Sequence, residues 1–156
     1  MKYAVIDVGS NTVRLCVYDV LCPEKRKFKT IMNRKIMAGL AAYIVDGAFS
    51  DEGIAEAILA VKKCIKRASY LSPDRIDVFA TAVLRNISNS AQAIAAIEQG
   101  AGCTISLLSN ADEAHLGFVG ASSRGTLDDG ALIDIGGGST EITVIENGID
   151  VARTSL

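Results

Sequence analysis

The strongest constraint on this chain is an internal repeat. Ala4-Val5-Ile6-Asp7-Val8-Gly9-Ser10-Asn11-Thr12 lies without a gap on Ala131-Leu132-Ile133-Asp134-Ile135-Gly136-Gly137-Gly138-Ser139, at a constant offset of 127 residues (4 to 131). Ala, Ile, Asp and Gly match in place, Val8 faces Ile135, and Thr12 faces Ser139. Past the turn, Leu15 faces Ile142 and Val17 faces Val144. Each copy is an apolar run ending in Asp, a turn of small residues, and a second apolar run. That is a strand–turn–strand device used twice.

Between the copies, strands alternate with helices. Tyr3–Val8, Thr12–Val20 and Lys27–Met37 read as the first three strands. Residues 50–71 form the clearest helix, with Ile54, Ile58, Val61, Ile65 and Ala68 on one face. Ser50 is its natural N-cap, and Asp51 and Glu52 suit the positive end of its dipole. Residues 76–81 and 104–108 read as strands. Residues 90–99 read as a helix stopped by Gly100, and residues 110–121 as another helix. Residues 131–135 and 140–146 form the second hairpin, and residues 151–155 begin a further strand. The order βββαβαβα, then strands again, predicts an α/β fold.

Composition removes several classes of function. Hydrophobic residues make up 49% of the chain, which argues for a packed core over disorder. The net charge of −2 disfavours bulk electrostatic binding to double-stranded nucleic acid. No apolar run is long enough to span a membrane, and the N-terminus does not read as a signal peptide. The four cysteines form no CxxC pair and there is one His, so a zinc site has little support. Reduced thiols and a cytoplasmic location are the expectation. Charge is uneven: residues 1–50 hold 8 basic and 4 acidic side chains, residues 51–156 hold 8 and 14. The excess sits in Lys25, Arg26, Lys27, Lys29, Arg34 and Lys35, a solvated strand face or an attractor for a polyanion.

The repeated device suits phosphate. Small turn residues let backbone N–H groups face an anion, and Ser10, Asn11, Thr12, Ser139 and Thr140 add donors beside them. An Asp closing the strand can hold hydrated Mg²⁺ or orient water. A single turn of this kind would serve as an ordinary tight hairpin. Two matched copies argue for facing anion loops and a cleft between them.

These residues carry a family resemblance. Asp7-Val8-Gly9-Ser10-Asn11-Thr12 with Arg14-Leu15 resembles the opening motif of the exopolyphosphatase/guanosine pentaphosphate phosphatase (Ppx/GppA) family. Asp134-Ile135-Gly136-Gly137-Gly138-Ser139-Thr140-Glu141 resembles its second motif, and this segment is the more specific. Ala80-Thr81-Ala82-Val83-Leu84-Arg85 with Asn89 is similar to an intervening segment, and Asp112-Glu113-Ala114 to the segment that carries the catalytic glutamate. Gly39-Leu40, Gly47 and Ser50 follow a weaker pattern. His115 stands where the family commonly has Arg; it reads as a helix-surface residue without a role.

The resemblance implies a duplicated ribonuclease-H-like fold of the actin/Hsp70/sugar kinase superfamily. Residues 1–124 would form the first lobe, and residues 125–156 the start of a truncated second lobe. It implies hydrolysis of terminal phosphoanhydride bonds of inorganic polyphosphate or guanosine pentaphosphate, with Mg²⁺. It implies Glu113 as general base for water. Ser10, Asn11, Arg85, Gly136, Gly137, Gly138 and Ser139 would bind phosphate, and Asp134, Glu141 and Asp7 the metal. On spacing alone, Glu113 could instead close a capping box begun by Asn110, and Arg85 could pair with Asp74 or Asp77. The resemblance also implies a homodimer for a full-length parent. A chain ending after the first hairpin of the second lobe reads as an N-terminal fragment, which puts its own turnover in question. A phosphate- or nucleotide-binding sensor and a kinase of the same superfamily are the competing readings.

Overall fold

The computed structural model describes residues 1–24, 27–123, 125 and 127–156. Lys25 and Arg26 of the basic run, and the expected lobe boundary at Arg124, lie outside the described residues. The chain forms two compact units, Met1–Leu107 and Leu108–Leu156.

The first unit opens with an antiparallel meander of β1 (Lys2–Val8), β2 (Thr12–Cys22) and β3 (Lys27–Met37). A 3-10 turn at Leu40–Tyr43 leads into a small hairpin of β4 (Ile44–Val45) and β5 (Ala48–Phe49). Helix α1 (Asp51–Ser69) follows, capped by the Ser50 Oγ, which accepts from the Gly53 N–H at 3.2 Å. Strand β6 (Arg75–Ala80) pairs parallel with β1; short α2 (Ala82–Arg85), α3 (Ser90–Ala101) and β7 (Ile105–Leu107) complete the unit. The sheet order is β3-β2-β1-β6-β7.

Alternation along the strands decides which face is buried. Ala4, Ile6 and Val8 of β1, and Val13, Leu15 and Val17 of β2, are fully buried with Ala57, Ala60, Val61, Cys64 and Ala68 of α1. The small residues on α1 let it lie close to the sheet. Each fully buried Leu, Ile or Val there contributes roughly 1.5–3 kcal/mol of apolar transfer.

Helix α3 departs from the sequence reading. It continues through Gly100 and ends at Gly102, whose φ of 70° is the left-handed C-cap conformation. Gly100 serves packing instead: a Cβ there would lie 2.5 Å from the Ile58 Cδ1 of α1. The 3-10 turn, the β4–β5 hairpin and α2 were too short to leave a periodic signal in the sequence.

The second unit contains α4 (Asn110–Ser122), β8 (Gly130–Ile135), β9 (Thr140–Glu146) and β10 (Ile149–Ser155). The strands form an antiparallel sheet of order β10-β9-β8. The expected third strand is thus complete, with a bulge between Asp150 and Ala152. The division between Leu107 and Leu108 places α4 with this sheet, not with the first lobe as the boundary at 124 had it. Buried Ala114 and Phe118 mark the helix face that packs in this unit.

The repeat is present in the backbone at the same offset. Register Asp7↔Arg14 recurs as Asp134↔Glu141, Ile6↔Leu15 as Ile133↔Ile142, and Ala4↔Val17 as Ala131↔Val144. The turns also match: Gly9 N–H donates to the Thr12 carbonyl at 3.1 Å, and Gly136 N–H to the Ser139 carbonyl at 2.9 Å. Among the described residues no helix is long and apolar enough to cross a membrane.

Candidate phosphate site

In the first unit the loop after β1 is held from behind. The Asn11 carbonyl accepts from the Ala38 and Gly39 N–H groups at 3.1 and 2.9 Å, and the Ser10 carbonyl accepts from Ala41 N–H at 2.8 Å. Ser10 is buried and the Asn11 side chain is exposed. A Cβ at Gly9 would lie 3.2 Å from the Thr12 carbonyl oxygen, so the tight turn favours a residue without one. Asp7 ends the strand in register with Arg14, which itself pairs with Lys35 across β3.

Arg85 follows β6 beyond the same end of the sheet as this loop. Val8 and Ala80 are register partners on parallel β1 and β6, so the Gly9 loop and the Thr81–Arg85 turn leave the sheet side by side. The carboxyl end of parallel strands is where ligands bind in sheets of this kind. The Arg85 Nε and Nη2 are buried. Of its alternative partners, Asp77 pairs with Arg75 at 2.8 Å and Asp74 accepts from Lys2 N–H at 2.7 Å. Asn89 is structural: its Oδ1 accepts from Phe49 N–H at 2.8 Å and its Nδ2 donates to the Phe49 carbonyl at 2.9 Å. It ties β5 to the start of α3.

In the second unit Asp134, Glu141 and Ser155 form one cross-strand row. Glu141 is buried, and its Oε1 accepts from the Ser155 Oγ at 2.9 Å. Gly136, Gly137 and Gly138 are exposed in the turn, and Ser139 is half-buried. The following residue is fixed from behind: Thr140 and Leu156 exchange backbone hydrogen bonds at 3.1 and 2.9 Å.

Helix α4 lies against this row. Gly117 is close enough that a Cβ there would sit 3.8 Å from Asp134 Oδ2. Glu113 precedes Gly117 by one turn, so both occupy the same helix face. The cap of α4 is Ser109, not Asn110. Ser109 Oγ accepts from Asp112 N–H at 3.1 Å and donates to Asp112 Oδ2 at 2.6 Å. The cap therefore begins one residue before the Asn110 that the spacing suggested, with Asp112 at the third position beyond it.

His115 also departs from expectation. Its Nδ1 lies 2.7 Å from Asp150 Oδ2 and 3.2 Å from Arg153 Nη2, while Arg153 Nε donates to Asp150 Oδ2 at 2.6 Å. This cluster bolts α4 to β10. The His115 hydrogen bond, with help from Arg153, holds the Asp150 carboxyl below its usual range. Nothing in the local sequence marks it, because the partners are far apart in the chain.

The donor set suits a hard cation bound with phosphate. Asp134 and Glu141 are paired oxygen donors beside small turn residues, and Mg²⁺ is commonly held by one or two carboxylates plus substrate phosphates. Cys64 and Cys103 do not suit nucleophilic chemistry, since burial pushes both thiols up.

Known structures share this architecture. An exopolyphosphatase from Cytophaga hutchinsonii is 25% identical, with a TM-score of 0.90 over 100% of this chain and 50% of its own. A Ppx/GppA family member from Aquifex aeolicus is 22% identical, with a TM-score of 0.84, 100% of this chain and 51% of its own. The ethanolamine utilization protein EutJ from Carboxydothermus hydrogenoformans matches more loosely, at 22% identity, a TM-score of 0.58, 100% of this chain and 52% of its own. The chain thus spans about half the length of these structures, and its fold is that of the ribonuclease-H-like, actin-related superfamily. The model of the Ppx/GppA phosphatase family matches residues 22–156, which includes Arg85, Glu113 and the second glycine turn but not the first. With that match over most of its length, the chain belongs to the Ppx/GppA phosphatase family.

Proposed function

We propose that this chain supplies catalytic machinery for hydrolysing terminal phosphoanhydride bonds, with inorganic polyphosphate or guanosine pentaphosphate as substrate. The observation that carries the proposal is the second-unit constellation. Ser109 caps α4, and Glu113 stands one turn before Gly117, the position at which a Cβ would lie 3.8 Å from Asp134 Oδ2. Family membership supports the reaction class.

In this reading the two glycine turns aim backbone N–H groups at phosphate oxygens, with Ser10, Asn11 and Ser139 beside them. Gly136, Gly137 and Gly138 keep that approach free of side chains. Arg85 contributes a fork that matches two phosphate oxygens at once. Glu113 accepts a proton from water as the water attacks the terminal phosphorus, and the leaving phosphate carries the bonding electrons of the broken anhydride. Asp134 and Glu141 are the residues of the second unit that would hold Mg²⁺, which would offset charge on the phosphate oxygens, and Asp7 stands at the matching position of the first unit. Ser155 orients the buried Glu141 carboxylate.

The test is phosphate release with Mg²⁺ from each substrate, using this chain, a full-length form, and Glu113→Gln in both. General-base catalysis contributes about 10²- to 10⁴-fold, and a loss of that size is expected from Glu113→Gln in whichever form is active. An active form that keeps its rate in Glu113→Gln sinks the assignment. A folded full-length form that binds both substrates without releasing phosphate favours a sensor. Phosphate delivered to an acceptor other than water identifies a kinase.

A further inference from the structure

We infer that His115 is a positioning residue for Glu113. Its hydrogen bond to Asp150 on β10 fixes the roll of α4, and so fixes where the Glu113 carboxylate stands relative to Asp134. The inference rests on the reading of Glu113 as the base for water.

Exposure around α4 shows how the helix lies on its sheet. Ala114 and Phe118 are buried, Glu113, His115 and Gly117 are half-buried, and Asp112, Leu116 and Val119 are exposed. Successive helical residues turn by about 100°. Ala114 and Phe118 therefore form the middle of the covered face, with Glu113 and Gly117 along one flank and His115 on the other. The contacts agree. A Cβ at Gly117 would lie 3.8 Å from Asp134 Oδ2 of β8. Thr143 Oγ1 of β9 donates to the Ala114 carbonyl at 3.4 Å, and His115 Nδ1 lies 2.7 Å from Asp150 Oδ2 of β10. Each strand of the sheet meets α4 at a different residue.

The contact on β10 is the brake on roll. Gly117 offers no side chain to β8, and the Thr143 hydrogen bond is long and sits at the middle of the face. The His115 bond is short and lies on the flank away from Glu113. It ends on a carboxylate that is itself held, since the Asp150 side chain is 8% exposed and Arg153 donates to it from Nε and Nη2. Held below its usual range, Asp150 carries no proton near neutral pH, so His115 Nδ1 is the donor. Hydrogen bonds to an ionised acceptor are the stronger kind.

Roll matters because Glu113 works at a distance from the helix axis. A side-chain tip stands roughly 5–6 Å out, so a roll of about 10° moves it by about 1 Å. A misplacement of about 1 Å can cost about 10²-fold in rate. Phosphate binding in the proposed reading rests on the glycine turns and Arg85, none of which belongs to α4. The loss should therefore fall on kcat and leave KM near its starting value.

The test is kcat and KM for phosphate release by a full-length form, with Mg²⁺ and inorganic polyphosphate or guanosine pentaphosphate. His115→Ala should lower kcat by up to about 10²-fold. His115→Asn places an amide N–H where Nδ1–H stands and should recover most of the rate. His115→Gln, whose amide reaches the Nε2 position instead, should not, and it makes the same comparison if His115→Ala unfolds. In a Glu113→Gln background His115→Ala should cost little more, because the group it positions is already gone. Glu113→Gln alone at full rate sinks the reading of Glu113, and this inference with it. With Glu113→Gln slow, three results overturn the positioning role alone: an unchanged kcat in His115→Ala and His115→Gln, a loss that His115→Asn does not recover, or the same fold loss in both backgrounds.

Discussion

Gly100→Ala tests whether the close approach of α1 and α3 sets the length and packing of α3. Two effects oppose each other. Replacing Gly by Ala inside a helix stabilises by about 1 kcal/mol through backbone entropy and propensity. Against that, the new Cβ would stand 2.5 Å from Ile58 Cδ1, 2.9 Å from Cγ1 and 3.2 Å from Cγ2. The whole branched side chain obstructs it, so rotating the Cδ1 alone does not relieve the clash. Overpacking of this kind costs about 1–3 kcal/mol. The net expectation is destabilisation of roughly 0–2 kcal/mol, the difference of those two ranges. In an Ile58→Ala background the obstruction is gone, and Gly100→Ala should stabilise by about 1 kcal/mol. The coupling between the sites is therefore about 1–3 kcal/mol. Urea unfolding followed by tyrosine fluorescence measures it, because all 4 tyrosines lie in the first unit and the chain has no Trp. If Gly100→Ala raises the midpoint by the same amount in both backgrounds, Gly100 makes no packing contact and the reasoning fails.

Two further substitutions probe the second unit. Ser109→Ala removes both hydrogen bonds between the capping hydroxyl and Asp112 and should cost about 1 kcal/mol, read as a lower urea midpoint for the circular dichroism of this unit. Asn110→Ala, which removes no cap, should have little effect; the reverse order would restore Asn110 as the cap. Asp150, held below its usual carboxylate range by His115 and Arg153, stabilises the folded state fully above the unfolded carboxyl's pKa. That contribution is lost as the pH falls from the unfolded value through the folded one. Asp150→Asn should therefore flatten the acid limb of a stability–pH profile, and an unchanged limb would remove Asp150 from acid unfolding.

Much of the site was readable because its signals are local. The two Asp-turn hairpins and their glycines follow from short runs of residues, and the structure pairs both hairpins in the same register. Ser109 was also readable, since Ser109-Asn110-Ala111-Asp112 offers a cap with Asp112 at the third position beyond it; Asn110 competed because it too is a cap-forming residue. Gly100 misled for a different reason. A glycine near a helix end resembles a stop, and only the approach of Ile58 from another helix shows that it is a packing position. The joining of His115 to Asp150 and Arg153, and of Asn89 to Phe49, depends on chain segments far apart in sequence.

The sequence by itself determined that the same hairpin occurs twice, because strand alternation and small-residue turns are properties of adjacent residues. It did not determine which face of each hairpin is covered. In the first unit α1 buries Ala4, Ile6 and Val8, while Asp7 stays exposed. In the second unit the equivalent apolar residues are exposed, and the opposite face, with Glu141 and Thr143, is buried. Alternation gives every strand two candidate faces of definite character. The helix that packs against one of them arrives from elsewhere in the chain, so burial is settled only by the tertiary structure.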